Sequence, residues 1–190
     1  MYTWYMIVEK PDPNIFVLKD FISKEEQEKL LYIAKNATEK EWSEYNYTER
    51  DEYNEWENRI LLLNKCSLFD KENKENVFKI YQRIKNEINS ILNKEIYEYV
   101  GFETIYRSLT RQFMKTHHDQ GLGAKFKYGV VLYLNDDYQG EEIFYPNANL
   151  ELKPESCSLV LHPAHEGYRH GVKEVTSGVR YSMTSFIKLK

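Results

Sequence analysis

Cysteine is scarce: Cys66 and Cys157 are the only two in 190 residues. They lie far apart, which excludes both a disulfide framework and a C-x-x-C metal or redox pair, and leaves two buried free thiols as the expectation. Positive charge is not in surplus either, with 26 Lys and Arg against 30 Asp and Glu and a net charge of −4. A surface built to hold nucleic-acid phosphates is therefore disfavoured, so no nucleic-acid partner is expected. No apolar run approaches the roughly eighteen residues that a membrane helix needs. The first residues, Met1 to Met6, lack a basic region followed by an apolar stretch and a small-residue cleavage site. The expected location is the cytosol, that of the host cell if the chain is phage-encoded, with no membrane partner. Internal repeats and low-complexity tracts are absent as well.

What is present is apolar and aromatic substance enough for one sizeable core, with 42% hydrophobic and 15% aromatic residues. A single domain over 1–190 is expected, with a helical and lid portion over about 1–95 and a β core over about 96–190. Asn14 to Phe21 alternates as a first strand. Ser23-Lys24-Glu25-Glu26 then reads as a capping box, opening a helix to about Asn36. A second helix is predicted over Lys71 to Leu92, where Val77, Ile80, Tyr81, Ile84, Ile88 and Ile91 recur at helical spacing. Between the two helices, Glu41 to Asn58 packs Trp42, Tyr45, Tyr47, Tyr53 and Trp56 among polar residues with no clean period. Such a segment is either a lid over a site or a loop without special role.

From Tyr97 onward the texture changes to short runs rich in Val, Tyr, Phe and Thr. Strands are predicted at Thr104 to Phe113, Tyr128 to Leu134, Glu142 to Tyr145, Leu150 to Leu152, Ser158 to His162, Arg169 to Lys173 and Arg180 to Lys188. The fold class is thus mainly β with flanking helices (α+β), its core a double-sheet jelly roll, or double-stranded β-helix.

The chemistry-bearing residues are His117-His118-Asp119, His170 and Arg180. One histidine and one carboxylate from a single turn, closed by a distant second histidine, occupy one face of an octahedral iron and leave the other face open. A lone His-x-Asp is weak evidence in a chain of this size. Here it follows a strand and precedes the turn Gln120-Gly121-Leu122-Gly123, so that Asp119 can fold back beside His117 while His118 points away. Downstream, His170 and Arg180 are separated by a polar turn, which predicts adjacent antiparallel strands for them. His162 and His165 are the other candidates for the distal ligand. Alternation on the last strand puts Arg180, Ser182 and Thr184 on one face and Tyr181 and Met183 on the other. An arginine aimed into a small barrel is a costly unpaired charge until an anion meets it, and a carboxylate suits it best.

Taken together these residues resemble the iron- and 2-oxoglutarate-dependent oxygenases, within them the prolyl 4-hydroxylase-like group. The likeness spans nearly the whole chain: the strand-helix Phe16 to Glu26, His117-x-Asp119, Tyr133-Leu134-Asn135-Asp136, Gly140-Glu141-Glu142-Ile143-Phe144-Tyr145-Pro146, His170, and Gly178-x-Arg180-Tyr181-Ser182. The resemblance implies Fe(II) held by His117, Asp119 and His170, and 2-oxoglutarate with its far carboxylate on Arg180, these four being the catalytic set. Tyr133 looks like the tyrosine that hydrogen-bonds the same carboxylate, and Tyr106 and Ser182 would line the pocket.

The implied reaction is oxidative decarboxylation of 2-oxoglutarate to succinate by O2, coupled to hydroxylation of an unactivated C–H bond, with ascorbate as an available reductant. The substrate implied first is a prolyl residue of a protein or peptide. A free amino acid or other small molecule is the alternative, and a cupin-like metal protein without 2-oxoglutarate is the alternative from another class. The chain departs from the family pattern at Glu141, where a second glycine is common, at Met114, where many members carry tyrosine, and at Arg180, where several collagen-type hydroxylases use lysine. The first departure is expected to alter the local turn rather than the chemistry.

Overall fold

Ser23 and Glu26 close the expected capping box. The Ser23 hydroxyl accepts from the Glu26 N–H at 3.0 Å, the Glu26 carboxylate accepts from the Ser23 N–H at 2.8 Å, and helix α1 runs Lys24–Asn36. Helix α2, Lys71–Leu92, starts at Asp70, whose carboxylate accepts from the Asn73 N–H at 2.9 Å, and stops at Asn93 in the left-handed region. Val77, Ile80, Ile84 and Ile88 form its buried stripe, as the 3.6-residue spacing requires. Arg83 ties the helices together: both its terminal nitrogens donate to the Glu26 carboxylate, at 2.8 and 3.0 Å, and one also reaches the Phe21 carbonyl. The computed structural model describes residues 7–44, 59–100, 103–120 and 125–189. Among them no helix is long and apolar enough to cross a membrane, and Cys66 and Cys157 are free, buried thiols.

The strands are β1 (Ile7–Asp12), β2 (Ile15–Lys19), β3 (Trp42–Glu44), β4 (Arg59–Leu62), β5 (Ile96–Val100), β6 (Thr104–Ser108), β7 (Met114–His117), β8 (Tyr128–Tyr133), β9 (Gln139–Gly140), β10 (Ile143–Tyr145), β11 (Leu150–Leu152), β12 (Leu159–Pro163), β13 (His170–Val172), β14 (Val175–Ser177) and β15 (Arg180–Leu189). A large antiparallel sheet takes the order β1-β2-β12-β8-β15-β6-β4-β3, with β5 paired to β15. A smaller sheet takes the order β11-β10-β13-β7, and β14 pairs β9.

Alternation on β8 sorts the large sheet's two faces. Val130 and Leu132 join Leu30, Ile33, Ile80 and Ile84 in the core beneath the helices, while Val131 and Tyr133 join Ile143, Tyr145 and Val160 in a second cluster that draws on strands of both sheets. The result is a mainly β jelly roll with its helices on the outer face of the large sheet.

Three expectations are corrected. The run Thr104 to Phe113 is not one strand: Arg111 takes a left-handed conformation (φ 74°) and Gln112 closes a turn onto Leu109, so the chain leaves the large sheet after β6 and enters the small sheet as β7. His170 and Arg180 are not on neighbouring strands. β13 belongs to the small sheet between β10 and β7, β15 lies in the large sheet between β8 and β6, and the intervening residues form β14 on their own ladder. Trp42 is a core residue rather than part of a lid. It is 7% exposed, sits beside Tyr181, and carries the Arg107 guanidinium over its ring at 4.3 Å. The rest of the aromatic segment, 45–58, and the turn 121–124 lie outside the described residues. The boundary expected near residue 96 is bridged by hydrogen bonding, since β2 pairs β12 and β4 pairs β6.

Candidate active site

β7 and β13 are antiparallel with His117 directly opposite His170. That single register brings together two histidines from distant parts of the sequence, their ring centroids 4.5 Å apart. Asp119, just past the end of β7, folds back between them: its Oδ1 lies 3.6 Å from His117 Nε2 and 3.7 Å from His170 Nε2. One donor atom from each of the three residues falls within 4.8 Å of the others, a spread that a single cation would draw in. His118 and His165 stand outside this cluster. His165 instead caps a short 3-10 turn through the Gly167 N–H.

Each ligand-type histidine has its other ring nitrogen engaged. His117 Nδ1 faces the Lys115 carbonyl at 2.9 Å and His170 Nδ1 faces the Tyr168 carbonyl at 3.1 Å. A carbonyl only accepts, so each Nδ1 donates its proton there, which leaves Nε2 as the ring atom that each histidine turns toward Asp119. Burial and the neighbouring His162 ring push the His170 pKa down to about 3, which keeps it neutral and able to ligate. The Asp119 and His170 side chains are each 6% exposed and that of His117 34%, so the cluster opens to solvent on the His117 side.

Two further residues shape this centre. His162 on β12 is fully buried, its Nε2 is 4.0 Å from Asp119 Oδ2, and its ring sits 4.3 Å from that of His170. Burial lowers its pKa to about 4. It stands behind the carboxylate as a wall rather than completing the three-residue cluster. Gly129 on β8 lies beneath Asp119, where a β-carbon would sit 2.4 Å from Oδ2. Sequence reasoning missed Gly129, although a glycine inside the apolar run Tyr128 to Leu132 is a signal of close approach.

Inward from the cluster, Tyr133, Arg180 and Ser182 share the face between the sheets. Ser182 is in register with both Tyr133 and Tyr106, and the Arg180 guanidinium lies 5.0 Å from the Tyr133 ring centroid. Tyr181 and Met183 go to the other face and the helix-side core, as the alternation requires. The Tyr133 hydroxyl, the Tyr145 hydroxyl and Arg180 Nε are buried without a hydrogen-bond partner among the described residues. Unpaired buried donors in one pocket fit a polar ligand that would satisfy them.

The inward charge of Arg180 is not unpaired, however, and this corrects the expectation that only an incoming anion could meet it. Glu141, 2% exposed, approaches Arg180 through Oε1 at 3.3 Å. The departure at Glu141 thus bears on the pocket and not on the turn alone.

Residues 104–188 match the family model described as the 2OG-Fe(II) oxygenase superfamily. No curated protein matches the chain. Among solved structures, the fold is similar to a Trichoplax adhaerens prolyl hydroxylase in complex with a hypoxia inducible factor oxygen degradation domain peptide (TM-score 0.70, 17% identity, 92% of this chain and 83% of that one). It is also similar to a Pseudomonas putida prolyl-4-hydroxylase (0.68, 16%, 93% and 93%). A third is the 2OG complex of the viral collagen prolyl hydroxylase vCPH from Paramecium Bursaria Chlorella virus-1 (0.66, 16%, 92% and 94%).

Proposed function

We propose that this chain, whose residues 104–188 match the 2OG-Fe(II) oxygenase superfamily, is a 2-oxoglutarate-dependent dioxygenase that hydroxylates a prolyl residue of a protein or peptide. Its cofactors are Fe(II), 2-oxoglutarate and O2. When bound, they supply the oxidation that places one oxygen atom in a C–H bond and the other in succinate as 2-oxoglutarate loses CO2. A cupin-like protein without 2-oxoglutarate is set aside on the same match.

The observation that carries the site assignment is the register of His117 against His170 with Asp119 folded between them. In this reading the Nε2 atoms of both histidines and an Asp119 oxygen hold the metal on one face. His117, the exposed member, marks the side from which substrate approaches. Arg180 and the Tyr133 hydroxyl hold the far carboxylate of the oxo acid, with Ser182 and Tyr106 on the same face of the sheet. Tyr145, fully buried with its ring 5.7 Å from that of His170, adds a donor and helps keep bulk water away. The prolyl substrate is supported by the likeness to three prolyl hydroxylases, one of them a collagen prolyl hydroxylase and one in complex with a hypoxia inducible factor peptide.

The test has two parts. Anaerobic titration of the Fe(II) protein with 2-oxoglutarate should produce a charge-transfer absorbance that is lost in His170→Ala. Mass spectrometry of proline-containing peptides after turnover should then find one added oxygen, placed on proline by fragmentation. Oxygen transfer to a free amino acid, with every peptide unchanged, would overturn the prolyl assignment and leave the dioxygenase intact.

A further inference from the structure

We propose that Glu141 is an internal competitor of the cosubstrate: it holds Arg180 when the pocket is free and must yield that guanidinium before the far carboxylate of 2-oxoglutarate can bind. This rests on the reading of Arg180 as the carboxylate clamp.

The pair has the geometry of a place-holder rather than of a structural ion pair. Its one contact, Arg180 to Glu141 Oε1, is 3.3 Å, whereas a charge-assisted N–H···O bond closes to about 2.7–2.9 Å. The other carboxylate oxygen and Arg180 Nε are both buried without a hydrogen-bond partner among the described residues. A guanidinium offers paired N–H groups in a planar fork, and Glu141 engages it with one oxygen only, leaving the rest for a second carboxylate. Glu141 also stands at φ 57°, a left-handed conformation that costs a non-glycine residue free energy. A side chain placed there only to fill space has no need of a charge. By contrast, Arg83 and Arg107 each meet their glutamate with two nitrogens at 2.8 to 3.0 Å.

Two carboxylates on one buried guanidinium leave an uncompensated negative charge, which burial makes expensive. The competition is relieved when Glu141 takes up a proton or swings off Arg180. Burial already pushes its pKa up by more than Arg180 and Ser108 pull it down. The titratable groups that face it are Arg180 on β15, Tyr133 on β8 and Tyr138 in the following loop, and burial raises both tyrosines above their usual value. Neither the arginine nor the tyrosines change charge near neutrality, so the proton that follows cosubstrate binding belongs to Glu141. Affinity for 2-oxoglutarate should accordingly fall as pH rises.

The experiment is equilibrium binding of 2-oxoglutarate to the Mn(II)-loaded protein by calorimetry, in wild type, Glu141→Gln and Glu141→Gly, between about pH 6 and about pH 8. The glycine variant suits the left-handed backbone and carries the test should the glutamine variant fail to fold. The expected result is binding at least about tenfold tighter in both variants, with the pH dependence and the proton uptake of the wild type abolished and Mn(II) affinity unaltered. Wild-type affinity equal to or tighter than both variants would overturn the competition while leaving the 2-oxoglutarate reading standing. Absence of 2-oxoglutarate binding in all three proteins, with Mn(II) still bound, would overturn both.

Discussion

Replacing Gly129 by alanine should remove the metal from a protein that still folds. The new β-carbon would sit 2.4 Å from Asp119 Oδ2 and 2.8 Å from two atoms of the His162 ring. Non-bonded heavy atoms are comfortable at about 3.5 Å, so the carboxylate must retreat by about 1 Å. His162 is 1% exposed and pinned between Asp119 and His170, so it cannot give way in the carboxylate's stead. Metal–carboxylate bonds of about 2.0–2.2 Å tolerate changes of only about 0.2 Å, so the displacement would take away one of the three donors proposed for the metal.

The cost in folding is the ordinary one for an overpacked methyl, about 1–3 kcal/mol. The cost in Mn(II) or Fe(II) affinity is at least about 100-fold, at the upper end of what disturbing a ligand's supporting shell does. Calorimetric Mn(II) titration beside a urea melt separates the two effects. Gly178→Ala is the control: at φ 81° its β-carbon would meet the Asp137 carbonyl at 2.9 Å, well away from the cluster. It should lose more than about 1 kcal/mol of stability with metal affinity intact. Wild-type metal affinity in a folded Gly129→Ala protein would refute the claim that this glycine makes room for the ligand.

Other outcomes follow from the same geometry. His170→Ala should abolish metal binding, whereas His165→Ala should leave it unchanged; full iron content and 2-oxoglutarate turnover in the former would remove His170 from the ligand set. Ile84→Ala opens a void in the fully buried stripe of α2 and should cost about 2–5 kcal/mol in a denaturant melt, while a loss smaller than 1 kcal/mol would mean the helix is not seated on the sheet as described. The Glu41 carboxylate accepts from the Thr38 and Ser67 N–H groups, which hold its pKa down at about 2 against an ordinary 4.5. Its contribution to stability is therefore present above 4.5 and lost as pH falls from 4.5 toward 2. The thermal midpoint of Glu41→Gln should be less sensitive to acid over that window, and an unchanged slope would contradict the assignment.

Local chemistry made the helices legible in the sequence. Ser23 and Glu26 cap α1 through contacts three residues apart, and the stripe from Val77 to Ile88 needs only the helical period. The same holds for His117-x-Asp119, where one turn of chain suffices to bring the two side chains together. Arg180 could be assigned to the inner face because alternation along a single strand decides it.

Contacts set by strand pairing were not legible. The sequence permits His170 to be chosen over His162, but the direct opposition of His170 and His117 comes from the β7–β13 register, which no local pattern encodes. The polar turn before Arg180 read as a hairpin. Tertiary structure sent the strands on either side of it, β13 and β15, to different sheets, while β14 between them found its partner in β9. Glu141 looked like a variation in a turn and became the partner of Arg180 only once the chain brought the two together. The sequence by itself determined which residues can bind a metal and an acid, since that depends on the chemistry of side chains. Which of them meet, and at what distance, was decided by strand register and sheet membership, whose energies are spread over the whole fold.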